Sequence, residues 1–187
     1  FGADIPSQRI SRLFGMITED AKMAYFKRQA KRRCETEYLA FDTTSISSFS
    51  ELLKQVKYGK NKEGDDLPQI NLALLFGEVS MLPVYYRKLP GNIADVKTID
   101  NLIKDVDFLD LVKLQLCMDR GFFSQKNINE LMKHHHKFLI GARTGLKLVR
   151  THLDDIRDSF VTRSNYNPAL QLYVCTCTEQ WDYEEEK

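Results

Sequence analysis

Ile10, Leu13, Phe14, Ile17, Ala21 and Tyr25 recur at intervals of three and four. That spacing predicts one amphipathic helix, whose basic end runs into the next apolar run. This run, Tyr38–Phe41, is continuously apolar and predicts a strand without a wet face. It ends in Asp42, followed by Thr43, Thr44 and Ser45. The lysine-rich stretch 56–68, punctuated by Gly59, Gly64 and Pro68, predicts an extended loop or hairpin. Residues 69–92 predict two strands around a turn near Gly77–Glu78.

Farther on, Val96, Ile99, Leu102, Ile103 and Val106 fall on one helical face, with Asp95 placed to cap it. Leu114–Met118 is a second short apolar run ending in an acid, Asp119. Ser124 is placed to cap a helix burying Ile128, Leu131 and Met132, and 137–142 predicts the next strand. The pattern loosens from Arg143, although 169–183 alternates like a strand. A short meander followed by alternating units implies an α/β fold, a mixed sheet with helices packed on it.

In such sheets, sites form beyond the carboxyl ends of strands, where the order of connections reverses. If the runs ending in Asp42 and Asp119 are parallel neighbours, about 5 Å apart, their carboxylates share one space. Buried at a strand end, Asp42 needs a partner: a backbone cap, an arginine or a metal ion. A divalent cation would relieve the repulsion between the two acids, and all-oxygen ligands suit Mg²⁺ or Mn²⁺. Ligand distances near 2.0–2.6 Å would then place the carboxylates roughly 4–7 Å apart.

Composition adds bounds. The 187 residues, 43% hydrophobic and 28% charged, suffice for one full core. No apolar run approaches the roughly 20 residues of a membrane span, and no signal-peptide pattern opens the chain. Four cysteines are too few for a disulfide scaffold, which points to a reducing cytosol. Net charge is only +1, but Lys22, Lys27, Arg28, Lys31, Arg32 and Arg33 cluster without an intervening acid. Lys54, Lys57, Lys60 and Lys62 form a second group. Solvated faces and a polyanionic partner explain these clusters equally well.

Four segments then occur in order: FDTTSIS, YGKNKEGDDLPQINLAL, LPGNIADVKTI and MDRGFFSQKNI. Together they resemble the catalytic core of bacterial insertion-sequence transposases of the DDE type, over roughly Tyr38 to Ala142. The resemblance implies a ribonuclease H-like fold and metal-dependent DNA cleavage and strand transfer at transposon ends. Asp42 and Asp119 match the first two catalytic, metal-binding aspartates. Thr43, Lys60, Lys62 and Arg120 are the expected DNA contacts. Implied partners are double-stranded DNA, both transposon ends and target, and a second copy in a synaptic homodimer; no membrane is involved. The implied location is the bacterial cytoplasm, at the nucleoid.

The family's third acid, a glutamate in a Tyr-x-x-Arg-x-x-x-Glu-x-x-x-x-x-x-Lys frame, has no match: Tyr183 is followed three places on by Glu186. The expected organisation is therefore a basic helical segment (1–37), the catalytic core (38–142) and a β-rich insertion (143–187) truncated before that helix. Such a fragment is expected to be inactive. A ribonuclease H-like nuclease without strand transfer and a non-catalytic DNA-binding remnant are the alternatives. Local readings stay modest. Thr43 and Thr44 can satisfy backbone groups or meet phosphate, and Arg120 can form a salt bridge or contact DNA. Gly91–Asn92 reads as a turn. His134–His136 and the Cys175/Cys177 pair lack zinc-site geometry, and Trp181 reads as packing.

Overall fold

The computed structural model describes residues 5–33, 37–50, 52–59, 67–93, 98–109 and 113–182. Asp95, Val96, Lys60, Lys62, Gly64 and the tail 183–187 fall outside them.

Two helices, α1 (Ser7–Met16) and α2 (Glu19–Arg33), replace the single one expected. Ile17 is extended at ψ 104°, and Thr18 Oγ1 accepts the Ala21 N–H at 3.2 Å, capping α2. The cap satisfies an orphan amide that a continuous helix would not offer. The apolar set that suggested the helix is not its buried side: Leu13 and Phe14 are exposed, as are Ile17 and Tyr25. Phe26 and Ala30 are buried instead. The Phe26 ring meets Tyr85 and Tyr86 edge-on, with centroids 5.0 and 5.1 Å apart.

The sheet is built from β1 (Leu39–Ser47), β2 (Gln69–Gly77), β3 (Pro83–Pro90), β4 (Gln115–Met118) and β5 (Lys137–Ile140). Its order is β3-β2-β1-β4-β5. The first three strands form the expected antiparallel meander, and β4 and β5 add in parallel beside β1. Between β3 and β4 runs α3 (Thr98–Phe108), burying Ile99, Leu102, Ile103 and Val106 as its spacing predicted. These side chains form the core with Leu39, Phe41, Leu75, Leu116 and Met118. Between β4 and β5 runs α4 (Gln125–Lys133), where Ser124 Oγ accepts the Asn127 N–H at 3.1 Å and Ile128 and Leu131 are buried.

After β5 come α5 (Lys147–Ile156) and two short strands, β6 (Tyr166–Asn167) and β7 (Leu172–Tyr173). The strand read across 169–183 is thus reduced to two paired residues. Alternation supplies a surface for a strand but no partner, and β6 offers only two rungs. Trp181 holds this region to the core, donating its indole N–H to Asn129 Oδ1 at 2.9 Å.

Polar contacts fix the meander at both ends. Glu37 is buried, and its Oε2 accepts the N–H groups of Val79 and Ser80 at 2.8 and 2.7 Å, gripping the β2–β3 turn. At the other end, Gln69 and Asn71 are buried amides on β2. Both donate to the Gly91 carbonyl, at 2.9 and 3.3 Å, and Asn71 also reaches Ile93 O at 2.9 Å. The Gly91–Asn92 turn after β3 is therefore anchored to the neighbouring strand.

Candidate active site

Strand β1 alternates rather than presenting two dry faces: Leu39, Phe41 and Thr43 are buried, while Asp42 and Thr44 are exposed. Two expectations change here. Asp42 does not end its strand, because β1 pairs with β2 through Ser47, placing Asp42 opposite Leu74. Nor is it buried; its neighbours on the core face are. What stops at this point is the parallel ladder with β4, whose last rung joins Phe41 to Met118. Asp42 and Asp119 each stand one residue past that rung. Side chains at equivalent positions of paired strands share a face, and such strands lie about 4.8 Å apart.

Backbone amides orient both carboxylates. Asp42 Oδ1 accepts the Thr43 N–H at 2.7 Å, and Asp119 Oδ1 accepts the Gly121 N–H at 2.8 Å. The second bond caps the 3₁₀ turn Arg120–Phe122. Phe122 below it is buried against Phe41, with ring centroids 5.2 Å apart. Gly141, just past β5, lies so near that a Cβ there would approach Arg120 N to 2.9 Å. The turn carrying Asp119 is thus wedged between the core and the end of β5.

Two exposed carboxylates on adjacent strands make a hard, all-oxygen donor set that suits Mg²⁺ or Mn²⁺. Among the described residues no third His, Cys, Asp or Glu joins them in a metal-binding cluster.

The expected DNA contacts divide. Arg120 is exposed beside Asp119 and makes no ion pair with a described residue. Thr43 is only 3% exposed, on the face opposite Asp42, so its hydroxyl is not presented to a phosphate. Thr44, two residues along from Asp42, is the threonine on the open face. Lys60 and Lys62 lie outside the described residues. Of the α2 cations, Lys22 pairs with Glu19, Lys27 lies 5.0 Å from the Phe108 ring centroid and Arg33 is 3.8 Å from Glu37. Arg28, Lys31 and Arg32 are exposed.

The histidine run is structural. Buried His136 accepts the Leu114 N–H on Nδ1 at 3.4 Å, and its ring stacks on His134 at 5.9 Å. Sequence reasoning missed a groove formed by the loop after β1, lined by Phe49, Leu53, Lys54, Lys57 and Tyr58. Its only signal was aromatic residues interleaved with lysines, in and just before the stretch 56–68 read as a loop.

The transposase DDE domain family matches residues 33–184. Among solved structures, the piggyBac transposase in a synaptic complex with hairpin DNA aligns with a TM-score of 0.50 at 14% identity, over 80% of this chain and 32% of that one. The Mos1 transposase in a paired-end complex with a left transposon end aligns with a TM-score of 0.38 at 9% identity, over 84% and 57%. The Drosophila P element transposase in a strand transfer complex aligns with a TM-score of 0.30 at 18% identity, over 83% and 46%. No curated protein matches the sequence significantly. The chain thus spans about a third of the piggyBac transposase chain. That likeness concerns the fold, a mixed sheet flanked by helices as in ribonuclease H-like transposase cores. No described helix is long and apolar enough to cross a membrane.

Proposed function

The chain belongs to the transposase DDE domain family, and from that premise we propose that Asp42 and Asp119 are two of the catalytic carboxylates of a DNA-cleaving and strand-transferring enzyme. One observation carries the assignment: both acids stand one residue beyond the last rung that joins β1 to β4.

In this reading the two aspartates hold a divalent cation, Mg²⁺ or Mn²⁺. When bound, it supplies positive charge to stabilise in-line displacement at a phosphodiester. The chain's own part is orientation. The Thr43 and Gly121 amides each fix one carboxylate oxygen, so both acids meet the substrate pre-aimed. Arg120 and Thr44 lie beside the acids to bind backbone phosphates, and Lys60 and Lys62 extend that contact. Exposed Arg28, Lys31 and Arg32 add salt-sensitive, sequence-independent affinity. The attacking group is water in cleavage and a freed 3′-hydroxyl in strand transfer. Two copies pair two transposon ends in a bacterial cell, and the element is an insertion sequence.

The two acids lack a third carboxylate among the described residues. We expect the 187-residue polypeptide to bind Mn²⁺ weakly and to leave DNA intact. The test is paramagnetic broadening by Mn²⁺ of backbone NMR signals. Signals of Thr43, Arg120 and Gly121 should broaden first, and Asp42→Asn or Asp119→Asn should abolish the effect. Broadening centred elsewhere would overturn the assignment. In a polypeptide that also carries the third acid, Mg²⁺-dependent cleavage of a duplex should appear and be lost in Asp42→Ala. Cleavage unaffected by that substitution would overturn the mechanism.

A further inference from the structure

We propose that the groove after β1 is a stacking platform for unpaired bases of a DNA strand leading to the Asp42–Asp119 end of the sheet; this rests on DNA being the substrate.

The groove, of about 590 Å³, lies between the described loop residues 49–50 and 52–58 and Leu67–Pro68. Phe49 is 83% exposed and Tyr58 74% exposed, although the loop bearing them is well anchored. Ser48 N donates to Pro68 O at 2.9 Å, and Lys57 and Gln69 exchange backbone bonds of 3.0 and 2.9 Å. The Gly91 N–H reaches Gln55 O at 3.1 Å. A pinned backbone that leaves aromatic rings in water points to a surface built for a flat partner. Lys54 and Lys57 line the same groove, and none of the described residues that line it is an acid. Flat apolar faces beside cations match the two halves of a nucleotide, its base and its phosphate.

Position favours an unpaired strand. From Asp42, β1 continues to Ser47 at about 3.3 Å per residue, roughly 16 Å in all. The groove opens just beyond, at the end of the sheet toward which both acids lie. In an intact duplex the base faces are stacked on one another and cannot reach Phe49 or Tyr58. The groove therefore selects DNA whose strands have separated near the reacting phosphate.

The test uses the 187-residue chain in EDTA, so no chemistry is read. Affinities are compared for a fully paired duplex and a forked duplex of equal length whose unpaired 3′ tail carries 2-aminopurine. The forked DNA should bind tighter, and its fluorescence should change on binding. Phe49→Leu and Tyr58→Leu should each weaken forked binding roughly ten-fold while leaving paired binding within about two-fold. Phe49→Tyr and Tyr58→Phe should retain it. Lys54→Gln with Lys57→Gln should lower the salt slope by about 1 to 2. The proposal is overturned if wild type binds neither DNA, or if the leucine variants bind both as wild type does or lose both equally. It is also overturned if sedimentation shows wild-type dimers that the leucine variants lose while DNA affinity is unchanged, which would assign the face to a second copy. Because neither metal nor cleavage enters, failure of the Asp42 assignment leaves these results independent.

Discussion

Gly59 and Gly91 meet backbone to backbone: a Cβ on Gly59 would stand 1.9 Å from the Gly91 carbonyl oxygen. A Cβ on Gly91 would in turn stand 2.1 Å from Gln69 O. Neither clash can be relieved by turning a side chain, because the opposing atoms are main chain. Gly59→Ala and Gly91→Ala should each cost about 3 kcal/mol, lowering Tm by about 6–12 °C in a calorimetric scan. The same carbonyl accepts from Gln69 and Asn71, so Gly91→Ala should disturb the start of β2 as well as the turn.

Glu37 gives the chain an acid limit. Burial alone would raise its pKa, but hydrogen bonds from Ser80 and Val79 and the charge of Arg33 outweigh it and leave it lowered. A depressed folded pKa means the unfolded state binds the proton more readily. The stabilisation is present above the ordinary glutamate value near 4.5 and is lost as pH falls through the folded value. Urea midpoints measured from pH 6 down to 3 should fall, and Glu37→Gln should flatten that part of the curve.

His136 adds a second dependence on pH. Burial, then the nearby charge of His134, lowers its pKa despite the opposing pull of Asp107. Below the ordinary value of 6.5 the unfolded state takes up a proton that the folded state resists. Stability should therefore decline as pH drops from about 7 toward the folded value. NMR titration of the His136 ring should place its midpoint below the ordinary histidine value of 6.5.

Beneath α3, Arg87 pairs with Asp105 in a short contact, beside the Tyr85 hydroxyl. Burial first, then Asp105, pushes the Tyr85 phenol well above its usual range. Asp105→Asn should cost about 1–3 kcal/mol and bring the Tyr85 ionisation down, as followed by ultraviolet difference absorbance. Asp42→Asn, an exposed change, should leave Tm within about 1–2 °C of wild type.

The core elements were legible because their signals are local. Ile99, Leu102, Ile103 and Val106 declare α3 by spacing, and Leu114–Met118 is a short apolar run bounded by an acid. The N-terminal helices were harder to read. Apolar spacing continues across Ile17 as though nothing breaks, and Phe26, rather than Tyr25, is chosen by the aromatic pair on β3. Alternation in β1 was hidden because its outer half carries threonines and serines on both faces. Only the pairing with β2 turns Thr43 inward and Thr44 outward. The stacking groove was illegible for a related reason. Phe49 and Tyr58 are nine residues apart in the chain and are brought to one groove by bonds to Pro68, Gln69 and Gly91.

The unequal lengths of β1 and β4 give the two aspartates different mechanical characters. Asp42 has rungs to β2 on either side of it, from Leu39 to Ser47, so its Cα is as stiff as the sheet. Asp119 follows the last residue of a four-residue strand and is held by the turn it caps. One carboxylate is fixed by the sheet and the other by a turn packed between Phe41 and Gly141. A backbone shift at Asp42 would therefore disturb the sheet, whereas one at Asp119 would disturb a single turn and its packing on Phe41 and Gly141.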